Sequence, residues 1–171
     1  KQLCAAADGV FCLPNQKTLP LIQEETNLVD TFKISNQLLT DCLRSVCQAL
    51  TTNSVVMGLP FSDLCALVQE QQGATAFAVA EAAGTNRACE VVEKLLKHPL
   101  VEGGRILPEA GTILVSMVGG PDLTIAEVNR VMEKISAQCQ GAPVVMGAGV
   151  QPSSKGKLAV VLMVVGTGEA N

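Results

Sequence analysis

The longest periodic stretch of the chain is residues 27–50, where polar side chains recur at helical spacing. They define one narrow strip, and apolar side chains fill the opposite side. The polar strip consists of Lys33, Gln37, Asp41, Arg44, Ser45 and Gln48, and the apolar side of Val29, Phe32, Leu39, Leu43, Val46 and Leu50. The pattern predicts a helix of roughly 35 Å that is buried around most of its circumference and is long enough to connect two packed units. Asn27 followed by Asp30 indicates its N-cap.

Shorter segments on both sides alternate between strand and helix patterns. Thr124 and Glu127 form a capping box before the clearest apolar stripe in the chain, which predicts a helix from residue 124 onward. The segment that contains Gly58 and Pro60, residues 51–60, is predicted to be a loop. Strands are predicted at residues 8–13, 76–80, 112–118, 143–150 and 157–165, and further helices at 17–24, 61–72 and 85–97.

The predicted elements indicate one fold class. The last two strands are separated by the turn-forming sequence QPSSKG, which is short enough for an antiparallel hairpin. In the helix at residues 85–97, an outward pair of Glu90 and Lys94 is expected one turn apart. Helices alternating with strands and followed by a hairpin predict an α/β fold, a mixed sheet flanked by helices and preceded by the long central helix.

Composition excludes several functions. A formal charge of −4 without a basic cluster argues against binding nucleic acid, and no uncharged run is long enough for direct membrane insertion. The seven cysteines form no CxxC pair, and His98 is the only histidine, so we expect no metal site. Nothing in the spacing brings a cysteine beside His98 as a nucleophile and base. Small buried thiols in a reducing cytoplasm explain the cysteines better.

Several segments together resemble one family. GGPDLTIAEVNRVMEKI, APVVMGAGV and KLAVVLMVVGTG resemble the carboxy-terminal domain of FtsZ, the bacterial cell-division homologue of tubulin. Upstream, DGVFCLPNQKTL resembles the last strand of that family's nucleotide domain, and NLVDTFKISNQLL resembles its central helix. The resemblance covers nearly the whole chain in collinear order.

The resemblance implies a division of the chain. Residues 1–26 would end a GTP-binding domain, residues 27–50 would be the linking helix, and residues 51–171 the activation domain with a polymer-contact loop at 52–63. The family's glycine-rich phosphate signature does not occur in this sequence. GTP is therefore the cofactor expected of a full-length protein, and the chain alone is not expected to bind it tightly.

Three positions match those that contact the guanine base in the family, namely Asn15, Phe32 and Asn36. Phe32 and Asn36 lie one helical turn apart, where a ring could stack on a base and an amide could pair with its edge. FtsZ usually has aspartate in place of Asn36. Each residue also has an ordinary structural explanation, as a turn residue, a core residue or a polar residue near the start of a helix.

The loop before the helix at residues 61–72 is the second candidate. In the family this loop enters the neighbouring subunit's nucleotide pocket, and an Asn-x-Asp-x-x-Asp pattern supplies carboxylates for hydrolysis. Here Gly58 and Pro60 replace the asparagine and the first aspartate, which leaves Asp63 as the candidate catalytic residue. The helix dipole gives Asp63 an alternative structural role in a first helical turn.

The resemblance favours a cytoskeletal GTPase that polymerises head to tail during cell division. Expected partners are further copies of the same protein and other cell-division proteins, in the cytoplasm at the division site. A divergent interaction or filament-capping module that no longer hydrolyses GTP is the first alternative. A free-standing α/β enzyme is the second, and it requires a pocket with converging polar groups away from the long helix.

Overall fold

The computed structural model of the protein describes residues 27–51, 55–57 and 75–166. The segments predicted at residues 8–13, 17–24 and 61–72 lie outside the described residues. The regular elements are α1 Leu28–Thr51, β1 Val55–Met57, β2 Thr75–Ala83, α2 Arg87–Leu96, β3 Ala110–Gly119, α3 Ile125–Ser136, β4 Val144–Val150 and β5 Lys157–Gly166, with short 3-10 turns at Pro99–Gly104 and Pro152–Ser154.

The described strands form one mixed sheet in the order β1-β4-β3-β5-β2. β3 runs parallel to β4 and antiparallel to β5, and β2 is antiparallel to β5. The predicted mixed α/β sheet with flanking helices is therefore confirmed. The central strand, β3, is apolar on both faces, and Ile113, Leu114 and Val115 are all buried.

The predicted hairpin between the last two strands is wrong. β4 and β5 lie on opposite sides of β3 and are not hydrogen-bonded neighbours. α3 connects β3 to β4 as a crossover, so those two strands are parallel neighbours. Because β1 pairs with the other edge of β4, β5 adds to the other side of β3. The linker at residues 151–156 therefore crosses the end of β3 instead of forming a tight turn.

The crossing of this linker over β3 depends on a glycine. The Gln151 amide donates to the Gly119 carbonyl at 2.8 Å, which holds the linker against the end of the strand. A Cβ atom at Gly120 would lie 2.4 Å from the Lys155 Cα atom, closer than any side chain allows. Gly120 thus permits two backbone segments to approach each other where any other residue would separate them.

β1 corrects a second expectation, because residues 51–60 were predicted to be a loop. Val55–Met57 forms a short edge strand antiparallel to β4, with Val55 opposite Gly149 and Met57 opposite Ala148. Three consecutive apolar residues, two of them β-branched, favour an extended backbone, and Gly58 follows only after the strand ends. The loop was predicted for the whole segment because Gly58 and Pro60 are residues typical of turns.

α2 and α3 cover one face of the sheet, as their apolar stripes predict. Their buried residues pack against Ala78, Ala80 and Ala82 of β2 and against the alternate side chains of β3 and β5. The expected pair of Glu90 and Lys94 is replaced by another contact, in which the Lys94 ammonium donates to the Glu81 carbonyl at 2.8 Å. The buried helix positions are Ala88, Val91, Val92 and Leu95 in α2 and Val128, Val131 and Ile135 in α3.

α1 lies on the opposite face of the sheet, where Leu39 packs against Phe77, Val79 and Leu100. The predicted helix is confirmed, and Asn27 Oδ1 accepts from the Asp30 amide at 2.9 Å as an N-cap. Its predicted burial does not hold at three of the apolar positions whose side chains the structure describes. A helix lying on a sheet buries only the strip that faces the strands. Accordingly Val29, Phe32 and Leu43 remain 64%, 49% and 54% exposed.

Candidate functional site

Phe32 and Asn36 lie on the part of α1 that faces away from the sheet. Both side chains are exposed, and their separation of one turn places them on the same side of the helix. The Thr40 hydroxyl donates to the Asn36 backbone carbonyl at 2.8 Å, and among the described residues no hydrogen bond engages the Asn36 side-chain amide. The ring and the amide could therefore both meet a planar ligand, as the prediction of a base-binding pair requires.

The other two predicted site residues, Asn15 and Asp63, lie outside the described residues. Their proximity to Phe32 and Asn36, and the role of the 52–63 loop, stay predictions.

A cavity of about 460 Å³ separates part of α1 from the sheet. Asp41 and Arg44 line it from the helix, Glu81 from β2 and Gln151 from the linker that crosses β3. The polar strip of α1 is thus partly turned toward the sheet. The cavity adjoins the long helix, so it does not provide the separate pocket that a free-standing enzyme would require.

Ser116 lies on the sheet wall of this cavity and was not singled out by the sequence pattern. Its side chain is 2% exposed, and its hydroxyl has no hydrogen-bond partner among the described residues. A buried hydroxyl without a partner loses its hydrogen bonds to water without replacement. The available signal was a single serine within the otherwise apolar run TILVSMV.

The most highly connected polar group of the described chain is the guanidinium of Arg87, at the start of α2. Its Nε and Nη2 atoms donate to the two carboxylate oxygens of Glu127 at 2.7 and 3.1 Å. Its Nη1 atom donates to Asp122 Oδ2 at 2.7 Å, and Nη2 also donates to the Asp122 carbonyl at 3.1 Å. A longer bond reaches the Lys157 carbonyl. One buried side chain therefore ties together the first turns of two helices and the start of β5.

The carboxylates of this cluster are held in their charged forms. Hydrogen bonding from Arg87 lowers the pKa of Glu127 to about 2, with further bonds from Thr124. The pKa of Asp122 is lowered chiefly by the Gly156 amide and also by Arg87. Both carboxylates in turn raise the pKa of Arg87. The guanidinium nitrogens of Arg87 are thus all bonded to acceptors within the described residues, and the cluster explains how the ends of these elements are held together.

Within residues 27–51, 55–57 and 75–166 no group of three or more His, Cys, Asp or Glu side chains could hold a metal ion. None of the helices there combines the length and the apolar character needed to cross a bilayer.

The arrangement of the sheet and α1 matches solved structures of FtsZ and CetZ. An empty FtsZ dimer from M. jannaschii superposes with a TM-score of 0.79 over 96% of this chain and 47% of that one, at 23% identity. CetZ2 from Haloferax volcanii, a GTPγS-bound protofilament, gives a TM-score of 0.65 over 98% of this chain and 49% of that one, at 15% identity. These similarities define the class of fold, that of FtsZ and CetZ.

The sequence comparisons define the family. The model of the FtsZ family C-terminal domain matches residues 73–168, more than half of the chain, and the chain belongs to the FtsZ family. Cell division protein FtsZ 1 of Archaeoglobus fulgidus is 29% identical over 167 residues, 97% of this chain and 44% of that protein. Cell division protein FtsZ of Rickettsia bellii is 28% identical over 163 residues, 93% of this chain and 34% of that protein. The chain thus spans less than half the length of these relatives.

Proposed function

We propose that this chain is the activation-domain portion of a cytoskeletal GTPase that polymerises head to tail in cell division. Family membership supports the proposal, and the observation that carries it is the geometry of α1. The helix packs on the sheet through one strip and leaves Phe32 and Asn36 exposed on another. The exposed ring and amide lie on the side of α1 that faces away from the sheet. This position suits a ligand that is held by a second domain.

In this proposal residues 27–50 link two domains, residues 1–26 belong to the GTP-binding domain, and residues 51–171 form the activation domain. Phe32 stacks on the guanine, while Asn36 and Asn15 hydrogen-bond its edge. An amide both donates and accepts, so Asn36 can pair with the guanine N–H groups and with its carbonyl. GTP itself is bound only by the full-length protein.

Assembly would use a head-to-tail contact, which generates open filaments because the same two surfaces repeat without closure. The relatives support this, since one is described as an FtsZ dimer and another as a protofilament. In the filament, Asp63 of the 52–63 loop would approach the neighbouring subunit's nucleotide. The site of action would be the cytoplasm at the division plane, together with other cell-division proteins.

Sedimentation of the full-length protein with and without GTP tests the proposal. We expect pelleting that depends on GTP at micromolar protein, and Phe32→Ala should weaken it by reducing nucleotide affinity. Arg130→Ala, on the exposed face of α3, is the matched control for a surface substitution. Absence of any nucleotide-dependent pelleting would contradict the polymer proposal.

A second candidate function is a filament-capping or interaction module that binds GTP without hydrolysing it. The replacement of two expected polar loop residues by Gly58 and Pro60 favours it. GTP turnover by the full-length protein separates the two candidates. If Asp63→Ala reduces turnover at least tenfold, Asp63 acts in hydrolysis. If turnover is absent, the capping module is the better description. Turnover that is insensitive to this substitution means that Asp63 is not catalytic.

A further inference from the structure

The connection between α2 and β3 contains the single histidine of the chain, His98. His98 precedes the 3-10 turn Pro99–Gly104, and its Nδ1 atom accepts from the Leu100 amide at 3.3 Å. The imidazole therefore acts as the N-cap of the turn, a position usually held by Ser, Thr, Asp or Asn. Unlike those caps, an imidazole loses its acceptor when it is protonated near neutral pH.

The capped turn carries a side chain that contacts α1 indirectly through the core. Leu100 is 2% exposed and packs with Phe77 of β2. Leu39 of α1 and Val79 of β2 pack against this pair. Leu100 thus forms part of the apolar surface against which α1 packs. The hydrogen bond to His98 holds the backbone amide of the same residue.

We propose that His98 is a pH-sensitive latch. Its protonation releases the Leu100 amide and weakens the packing of α1 against the sheet. In the neutral form, Nδ1 presents a lone pair to the Leu100 N–H. In the charged form both ring nitrogens carry hydrogens, so Nδ1 and the amide present two donors to each other. The turn must then rearrange, and Leu100 moves relative to Phe77.

The direction of the pH dependence follows from burial. His98 is partly buried, and the loss of solvation lowers its pKa below the ordinary 6.5. The folded protein therefore binds the proton less readily than the unfolded chain. The stabilisation by the cap is complete above pH 6.5 and is lost as the pH falls from 6.5 toward the lowered value.

Several charged groups surround the His98 turn. The groups on the turn and on the elements packed around it are Lys97, Glu102 and Arg105 beside His98, Glu90, Glu93 and Lys94 on α2, Glu81 on β2, and Asp30, Lys33, Asp41 and Arg44 on α1. Glu102 is the nearest acid along the chain and forms an ion pair with Arg105 at 2.6 Å.

Amide hydrogen exchange measured by NMR on the 171-residue chain tests the latch. We expect the protection factor of the Leu100 amide to fall as the pH is lowered from 7.5 toward 5, by up to roughly fivefold once the imidazole is fully protonated, as loss of one neutral hydrogen bond implies. The Leu39 methyl resonances should shift over the same pH range. In His98→Asn the side-chain carbonyl still caps the turn but does not titrate, so both changes should disappear.

Two controls keep the test decisive. His98→Ser provides a second cap that does not titrate, should His98→Asn fail to fold. Glu102→Gln removes the nearest carboxylate and should leave the transition of the wild-type chain in place. Equal loss of Leu100 protection in the wild type and in the capped variants would overturn the proposal. So would constant protection in the wild type, a Leu39 resonance that does not move, or loss of the transition in Glu102→Gln.

Discussion

Replacing Arg87 by methionine is the sharpest test of how the small domain is held together. Methionine keeps much of the aliphatic volume but removes the cation, while Glu127 stays in place with a side chain only 18% exposed. Breaking a buried ion pair by removing one partner is costly, because the remaining charge keeps its desolvation without its compensating bonds. The perturbation therefore acts on Glu127 more than on the helix that carries Arg87.

The pKa of Glu127 gives the magnitude. Its value falls from 4.5 to about 2 in the folded protein. At roughly 1.4 kcal/mol per pKa unit, this corresponds to about 3 kcal/mol of stabilisation. The hydrogen bonds from Arg87 are the largest cause, burial opposes the lowering, and the bonds from Thr124 and the charge of Arg87 add to it. We therefore expect Arg87→Met to lower the free energy of unfolding by about 2 to 3 kcal/mol at pH 7.

Urea denaturation at several pH values measures this effect. Because the pKa of Glu127 is depressed on folding, its contribution is complete above pH 4.5 and is lost as the pH falls from 4.5 toward 2. Arg87→Met should flatten this part of the stability curve as well as lower it at pH 7. Arg130→Met, an arginine on the exposed face of α3, should change stability by less than about 0.5 kcal/mol. Two results would refute the reasoning. One is a decrease of less than about 1 kcal/mol in the free energy of unfolding of Arg87→Met, and the other is an unchanged fall in stability between pH 4.5 and 2.

Three other substitutions test single features of the fold by thermal or urea denaturation. Gly120→Ala places a Cβ 2.4 Å from the Lys155 Cα, so a loss of about 1 to 3 kcal/mol is expected, and no loss would mean that the linker crosses β3 differently. Thr124→Ala removes the acceptor for the Glu127 amide and should cost about 1 kcal/mol, whereas Thr124→Ser should retain the cap. Ser116→Ala removes a buried hydroxyl without a partner, so stability should stay constant or rise by up to about 1 kcal/mol, and a clear loss would reveal a partner for the hydroxyl.

The sequence by itself determined the elements whose signals are local. The capping box of Thr124 and Glu127 and the apolar stripe that follows define α3 within its own residues. The same holds for α2, for the N-cap at Asn27 and for the four longer strands, since their periodicity depends only on neighbouring positions. The segments that resemble FtsZ are also continuous stretches, and the family they indicated is the one the comparisons found.

Only the tertiary structure decided the strand order, the partners of Arg87 and the exposure of α1. Strand order places β3 between β4 and β5, although the linker joining them is short enough for a hairpin. Arg87 binds carboxylates 35 and 40 residues away, and nothing in its immediate sequence indicates them. Likewise, an apolar helix face shows which side chains favour burial, but only the packing determines which of them are covered. The physical reason is common to all three, because each depends on contacts between segments distant in sequence, and local patterns carry no information about which distant segment will be adjacent.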